Sequence, residues 1–227
     1  MEELSPEVES LDFLKPVISD LRHLLVTEQA RLDTKVLEMA KRLSNLSIWA
    51  TPATATDLST IPLHSFAGSA HRNWASLKTS PTLRELYLEH GNFSWTEGLE
   101  RLSKVTLTGM KGDVKIPRPS PVLNSVRELS LHGPRSLSLE SLPDYQRLES
   151  LELSRIGEVL HASNVALLPN LKKLRLEDVR SMEESQWLRS DLPIEEVLII
   201  GDTSWIAAAW TQLQPPPRKW SIPPWVK

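Results

Sequence analysis

Residues 170–179 read NLKKLRLEDV, with Leu171, Leu174 and Leu176 spaced by three and then by two. A helix repeats its apolar positions at three and four, a strand at two, so neither element alone explains the stretch. A short strand entered through a bend does. Leu174 and Leu176 point to one side of the strand, and Leu171 reaches the same core from the turn before it. The pattern recurs as Leu21, Leu24, Val26; Leu43, Leu46, Ile48; Leu83, Leu86, Leu88; and Leu102, Val105, Leu107. It continues as Val126, Leu129, Leu131; Leu148, Leu151, Leu153; the starting stretch; and Ile194, Val197, Ile199. All 24 positions are aliphatic, and the first positions step by 22, 40, 19, 24, 22, 23 and 23 residues.

A period near 20–29 residues is the mark of a solenoid, in which each unit stacks only on its neighbours. The sequence therefore predicts an α/β fold: a curved parallel sheet on the concave side, with helices and irregular turns on the convex side. The expected organisation is an N-terminal helical cap over 1–20, about eight repeats over 21–202, and a Trp/Pro-rich cap or tail over 203–227. Ser5 and Pro6 suit the cap and first position of the opening helix. The 40-residue step leaves 50–82 irregular, either an insertion or a ninth strand. DLSTIPL (Leu58, Ile61, Leu63) fits the pattern there, while TPATATDLST reads as a loop. Between repeats, ARLDTKVLEMAKRL has Leu32, Val36, Leu37 and Met39 at helical spacing, whereas GMKGDVKIPRPSP is too rich in Gly and Pro for a helix. Leu142-Pro143, Leu168-Pro169 and Leu192-Pro193 each precede a repeat, and the proline is expected to stop the crossing segment there. Trp205, Trp210, Trp220 and Trp225 crowd the C-terminus. Their rings suit a cover for the last repeat, and QPPPRKWSIPPW also suits a polyproline ligand.

The stretches TLRELYLEHGNF, SVRELSLHG, RLESLELSRI and NLKKLRLEDV resemble the leucine-rich repeat family, and the resemblance spans 21–202. That family's motif continues to an Asn or Cys three residues past the last leucine. Here those positions are Gln29, Thr51, Gly91, Met110, Pro134, Ile156, Val179 and Asp202, so no polar ladder is expected. Such degenerate repeats resemble those that follow the F-box in fungal F-box proteins. The resemblance implies a protein-interaction module, the substrate-recognition part of an F-box-type ubiquitin ligase receptor. Repeats beginning at Leu21 predict that the F-box itself is absent. A non-catalytic structural scaffold and a GTPase-activating regulator are the other readings, though no dedicated catalytic arginine stands out for the latter.

The chain carries 40% hydrophobic and 24% charged residues and a net charge of −3, with no bias toward nucleic acid or an anionic membrane. It contains no cysteine, which excludes disulfides, thiolate metal sites and cysteine nucleophiles and fits a reducing compartment. The acidic start MEELSPEVESLDFL is unlike a signal peptide, and no run approaches the ~18 apolar residues of a membrane span. A cytoplasmic or nuclear location follows, and the sequons at Asn45 and Asn92 carry no weight. No phosphate loop, GxGxxG, HExxH or GxSxG motif is present, and the six histidines are scattered. No enzyme activity, cofactor or metal is expected.

The repeat supplies a surface instead. Residues between the inward leucines face the open side of the sheet, where six glutamates (85, 89, 128, 152, 177, 196) meet three bases (104, 173, 175). The candidate partner-binding residues on that concave face are Trp49, Glu85, Tyr87, Glu89, Ser130, His132, Glu152, Arg175 and Glu177. A protein partner is expected there, with no nucleic acid and no membrane.

Overall fold

The computed structural model describes residues 9–27, 31–119, 123–188, 192–201, 205 and 220–221. The chain divides into two compact units, residues 1–102 and 103–227. Of the 24 expected inward positions, all but Leu21 and Leu24 are buried. Leu24 lies in the first strand of its row and Leu21 just before it, at the end of the sheet where one strand neighbour is present.

In the first unit, β1 (His23–Val26), β2 (Asn45–Ile48), β3 (Ser65–Ser69) and β4 (Glu85–Glu89) pair in parallel. Leu24, Leu46, Phe66 and Leu86 stand level, as do Val26, Ile48, Gly68 and Leu88. The long step is thus two ordinary ones of 20 residues, from Leu43 to Leu63 and from Leu63 to Leu83. Leu63, Phe66 and Gly68 occupy the three motif positions, and Leu58 and Ile61 are buried in the crossing segment instead. Gly68 is required by space, because a Cβ there would collide with the Ile48 carbonyl oxygen. Phe66 fills the volume that an aliphatic pair fills elsewhere, with its ring 5.9 Å from that of Trp74 in a T-shaped contact.

The helix expected over 30–43 is a single 3-10 helix, Lys35–Met39, preceded by a bridge from Leu32 to Pro52. Leu32, Val36 and Leu37 are buried as the spacing implied, but Met39 is exposed, because about 15 residues must cross the layer and return without an α-helix's period. An extended or 3-10 path advances further per residue than an α-helix. The Thr34 and Thr56 hydroxyls hydrogen-bond at 2.6 Å across adjacent crossings, a buried polar rung among aliphatics. Ser5 and Pro6 lie outside the described residues.

In the second unit the main sheet comprises β5 (Lys104–Thr108), β7 (Glu128–His132), β9 (Ser150–Ser154), β11 (Lys173–Glu177), β13 (Glu196–Ile200) and β14 (Trp220–Ser221), in that order. A second parallel sheet replaces the irregular turns expected after each strand. It runs β6 (Asp113–Lys115), β8 (Ser136–Ser138), β10 (Glu158–Leu160) and β12 (Ser181–Met182). Leu137, Val159 and Met182 face the core from it, each six residues past the last strand leucine of its repeat (Leu131, Leu153, Leu176). Both units are leucine-rich-repeat solenoids with 3-10 turns on the crossing side among the described residues.

The loop joining the two sheets explains the missing polar ladder. Met110, Pro134, Ile156 and Val179 are all buried three residues past the last leucine. Neighbouring loops instead satisfy one another: the Gly157 N–H donates to Pro134 O at 3.2 Å and the Arg180 N–H to Ile156 O at 3.0 Å. An asparagine would bury an amide among backbone groups already paired. Ile156→Asn should therefore cost at least about 2 kcal/mol in a urea melt. A neutral result would mean that the loop holds an unmet backbone group.

One residue earlier, among the described residues, the backbone after β5, β7, β9, β11 and β13 is left-handed: Gly109 (φ 62), Gly133 (φ 96), Arg155 (φ 53), Asp178 (φ 52) and Gly201 (φ 107). Of the three leucines in the Leu-Pro pairs, all expected in the core, Leu142 and Leu168 are buried and Leu192 is half-buried. Pro169 follows the 3-10 turn Ala162–Leu167 as expected, but Pro143 lies at the start of one, Leu142–Asp144, and does not end it. Its fixed φ suits a first turn. At the C-terminus, the buried Trp205 donates its indole N–H to Val179 O at 2.9 Å, and β14 pairs with β13 through Trp220 and Ser221. Trp210, Trp225 and the proline run at 215–217 lie outside the described residues.

Candidate functional site: the open sheet faces

Alternation along each strand brings the candidate residues to the open side of the sheet in two groups, one per unit. Trp49, Glu85, Tyr87 and Glu89 belong to the first unit, and Ser130, His132, Glu152, Arg175 and Glu177 to the second.

In the first group, Trp49 follows β2 and Tyr87 is central in β4, with β3 between them. Strands two places apart are ~10 Å apart, beyond easy ring contact over a bulky intermediate. The outward residues of β3 are Ser65, Ala67 and Ser69, all small, and the two rings meet across them at 5.5 Å and 73°. Trp49 also donates its indole N–H to Ser47 Oγ at 3.1 Å, which holds its ring over the sheet. Leu25, level with Ser47, Ala67 and Tyr87, is 65% exposed and Tyr87 is 36% exposed. Glu85 and Glu89 flank Tyr87 on the same face of β4, and Glu89 accepts from Ser69 Oγ at 3.3 Å. The result is an apolar centre with carboxylates beside it. Leu25 and Ala67 were absent from the candidate residues. The alternation had placed Leu25 outward, but Ala67 needed the β3 register.

The second group is a mosaic of opposite charges. Lys104 pairs with Glu128 at 2.8 Å and Lys173 with Glu196 at 3.3 Å. Arg175 lies between two carboxylates, with Nη2 2.6 Å from Glu177 and Nε 3.3 Å from Glu152, which also accepts from Ser130 Oγ at 3.2 Å. The hydrogen bond that Arg175 donates to Glu177, aided by the charges of both carboxylates, holds the guanidinium above its ordinary pKa. Arg175 is thus an engaged anchor rather than a free one, and such exposed pairs contribute only about 0–1 kcal/mol each. A cleft of ≈450 Å³ runs over β9, β11 and β13 beside Glu152, Arg175 and Glu196.

Half-buried His132 has its pKa lowered by burial, against the opposing pull of Glu152 and Glu177. Its neutral form is therefore favoured in the folded state, and the unfolded chain binds the extra proton first. Stability should fall as pH drops through the ordinary value of 6.5 toward the lower folded value. Thermal melts of His132→Gln should show a shallower fall over that window, and an unchanged slope would assign the effect to other groups.

Among the described residues, no group of three or more His, Asp or Glu side chains is arranged to hold a metal ion, and no helix is long and apolar enough to cross a membrane.

No protein-family model matches the chain, and no curated protein does. Among solved structures, internalin C2 from Listeria monocytogenes is similar at 17% identity and a TM-score of 0.47, with 85% of this chain and 76% of that chain covered.

Proposed function

We propose that the chain is a protein-interaction module that binds its partners through the open faces of its sheets. The contact of half-buried Trp49 with exposed Tyr87 over the small residues of β3, level with exposed Leu25 on β1, is the observation that carries this reading. A solvent-facing apolar cluster with aromatic members costs solubility, and aromatic residues dominate interface energetics. Flanking Glu85 and Glu89 favour a partner segment that places a basic residue beside an apolar one. The bases of the second face are already paired with carboxylates, which disfavours a phosphate backbone as the ligand.

The finer reading is the substrate-recognition part of an F-box-type ubiquitin ligase receptor in the cytoplasm or nucleus, supported by the degenerate character of the repeats. In that reading the ligase adaptor should retain residues 1–227 in a pull-down only when an F-box domain is fused ahead of them. Retention of residues 1–227 alone would sink it.

Affinity purification with mass spectrometry, followed by calorimetry on the recovered partner, tests the module itself. Substituting Tyr87 and Arg175 together by alanine should weaken binding by at least ~2 kcal/mol. The melting temperature should barely move, because both side chains are exposed. Wild-type affinity in the double variant would place recognition elsewhere.

A further inference from the structure

A second surface lies at the loop edge of the second unit, where the main sheet turns into the smaller one. A groove of ≈590 Å³ is lined there by Arg135, Arg155 and Arg180, with Asp178 as the single acid. Ser136, Glu158 and Ser181 are level across β8, β10 and β12. One residue earlier, Arg135, Gly157 and Arg180 are therefore level too. Gly157 has no room for a side chain, since a Cβ would collide with the Arg135 carbonyl oxygen. The packing thus leaves a notch between two arginines two strand spacings apart, ~10 Å. Arg155 borders it from the adjoining column, beside Gly133.

The cations differ in what they already hold. Arg135 gives Nε and Nη2 to Asp113 at 3.1 and 2.7 Å, which fixes its side chain and leaves Nη1 outside that pair. Arg155 and Arg180 have no ion pair among the described residues. Asp178 leans away toward the next repeat, where its Oδ1 would lie 2.5 Å from a Cβ on Gly201. Arg155 also occupies the left-handed turn position (φ 53) that Gly109, Gly133 and Gly201 fill in other repeats, and Asp178, likewise on the groove, shares it (φ 52). Glycine adopts that conformation without strain, and arginine does so at a conformational cost. A costly residue kept beside an open cationic groove points to a use for its side chain.

We propose that this groove binds a phosphoryl dianion. Three arginines against Asp178 and the Asp113 that pairs Arg135 leave a formal surplus of one positive charge at the groove. A phosphoryl group brings about −1.5 to −2 charge and three acceptor oxygens, enough to engage the guanidiniums of Arg155 and Arg180 together with Nη1 of Arg135. A carboxylate has two oxygens and half the charge, and satisfies one fork. The inference rests on the loop edge alone, so its outcome is separate from that of partner binding on the sheet faces.

Two-dimensional amide NMR on the full chain tests it, with inorganic phosphate and a tripeptide carrying a central phosphoserine as probes. The same tripeptide with glutamate serves as control at matched ionic strength. Saturable shifts are expected at the amides of Arg155, Gly157 and Arg180, with the glutamate peptide at least about tenfold weaker. Arg155→Gly should keep or raise the melting temperature, because glycine suits the turn, yet bind at least about tenfold more weakly. Arg180→Gln should lose binding likewise. Tighter binding of the phosphoserine peptide than of phosphate assigns the site to a phosphorylated protein, and equal binding assigns it to a free phosphate. Absence of saturable shifts, equal binding of the glutamate peptide, or wild-type binding by both variants would overturn the proposal.

Discussion

Leu151→Asp and Leu174→Asp should each destabilise the protein by more than about 4 kcal/mol, enough to unfold a marginally stable domain. The two side chains are 0% and 2% exposed and lie level on β9 and β11, between Leu129 and Val197 on the flanking strands. Every neighbour at that level is aliphatic. An aspartate there must either stay ionised without a partner or bind a proton to become neutral, and both are costly. One residue on, Glu152→Ala should change stability by less than about 1 kcal/mol. Arg175 keeps its bond to Glu177 when Glu152 is lost, and Ser130 is half-exposed. Urea melts of the three variants decide the matter. Equal shifts for the leucine and glutamate variants would put the strands in the wrong phase.

Gly68→Leu should be destabilising by about 3 kcal/mol, although it restores the aliphatic motif that the other repeats carry. Parallel strands are held at ~4.8 Å by their hydrogen bonds, so β2 cannot retreat from a new side chain without breaking its ladder. A Cβ on Gly68 meets the Ile48 carbonyl on one side and the Phe66 ring, 3.4 Å away, on another. The melting temperature should drop by roughly 6–12 °C, and Gly68→Ala by a smaller amount. Ala67→Ser, on the outward side of the same strand, should leave it nearly unchanged. A stable Gly68→Leu variant would mean that β3 pairs in another register.

The same glycine explains why this strand was hard to read from sequence. Inward strand positions demand aliphatic side chains, so eight repeats stand out as leucine triplets, but Gly68 and Phe66 solve the volume problem differently and leave no triplet. The second sheet was hidden for another reason. Its strands are two or three residues long, with a single buried apolar residue in each of β8, β10 and β12 (Leu137, Val159 and Met182) and none in β6, too few for any period to register. Leu32, Val36 and Leu37 are spaced as on a helix yet are buried from a bridge and a 3-10 turn, because burial fixes which residues are apolar and not the path between them. The candidate residues needed only strand alternation to be placed outward. Their couplings needed more: Trp49 reaches Tyr87 because β3 intervenes with small residues, and Arg175 is engaged by Glu152 through strand register and by Glu177 two residues on. The loop-edge arginines had no signature at all. Steps of 20 and 25 residues, from Arg135 to Arg155 and on to Arg180, become one groove only when both sheets are in place.

The central claim, that partners bind the open sheet faces, is tested most directly by site-specific photocrosslinking. A benzophenone side chain would replace Tyr87 or Arg175 on the open faces, or Leu167, a 61% exposed residue in the 3-10 turn Ala162–Leu167 on the crossing side. On irradiation in cell extract, Tyr87 or Arg175 should yield a discrete covalent adduct with a partner protein, while Leu167 yields none. An adduct formed from Leu167 alone would contradict the account and move recognition to the crossing side.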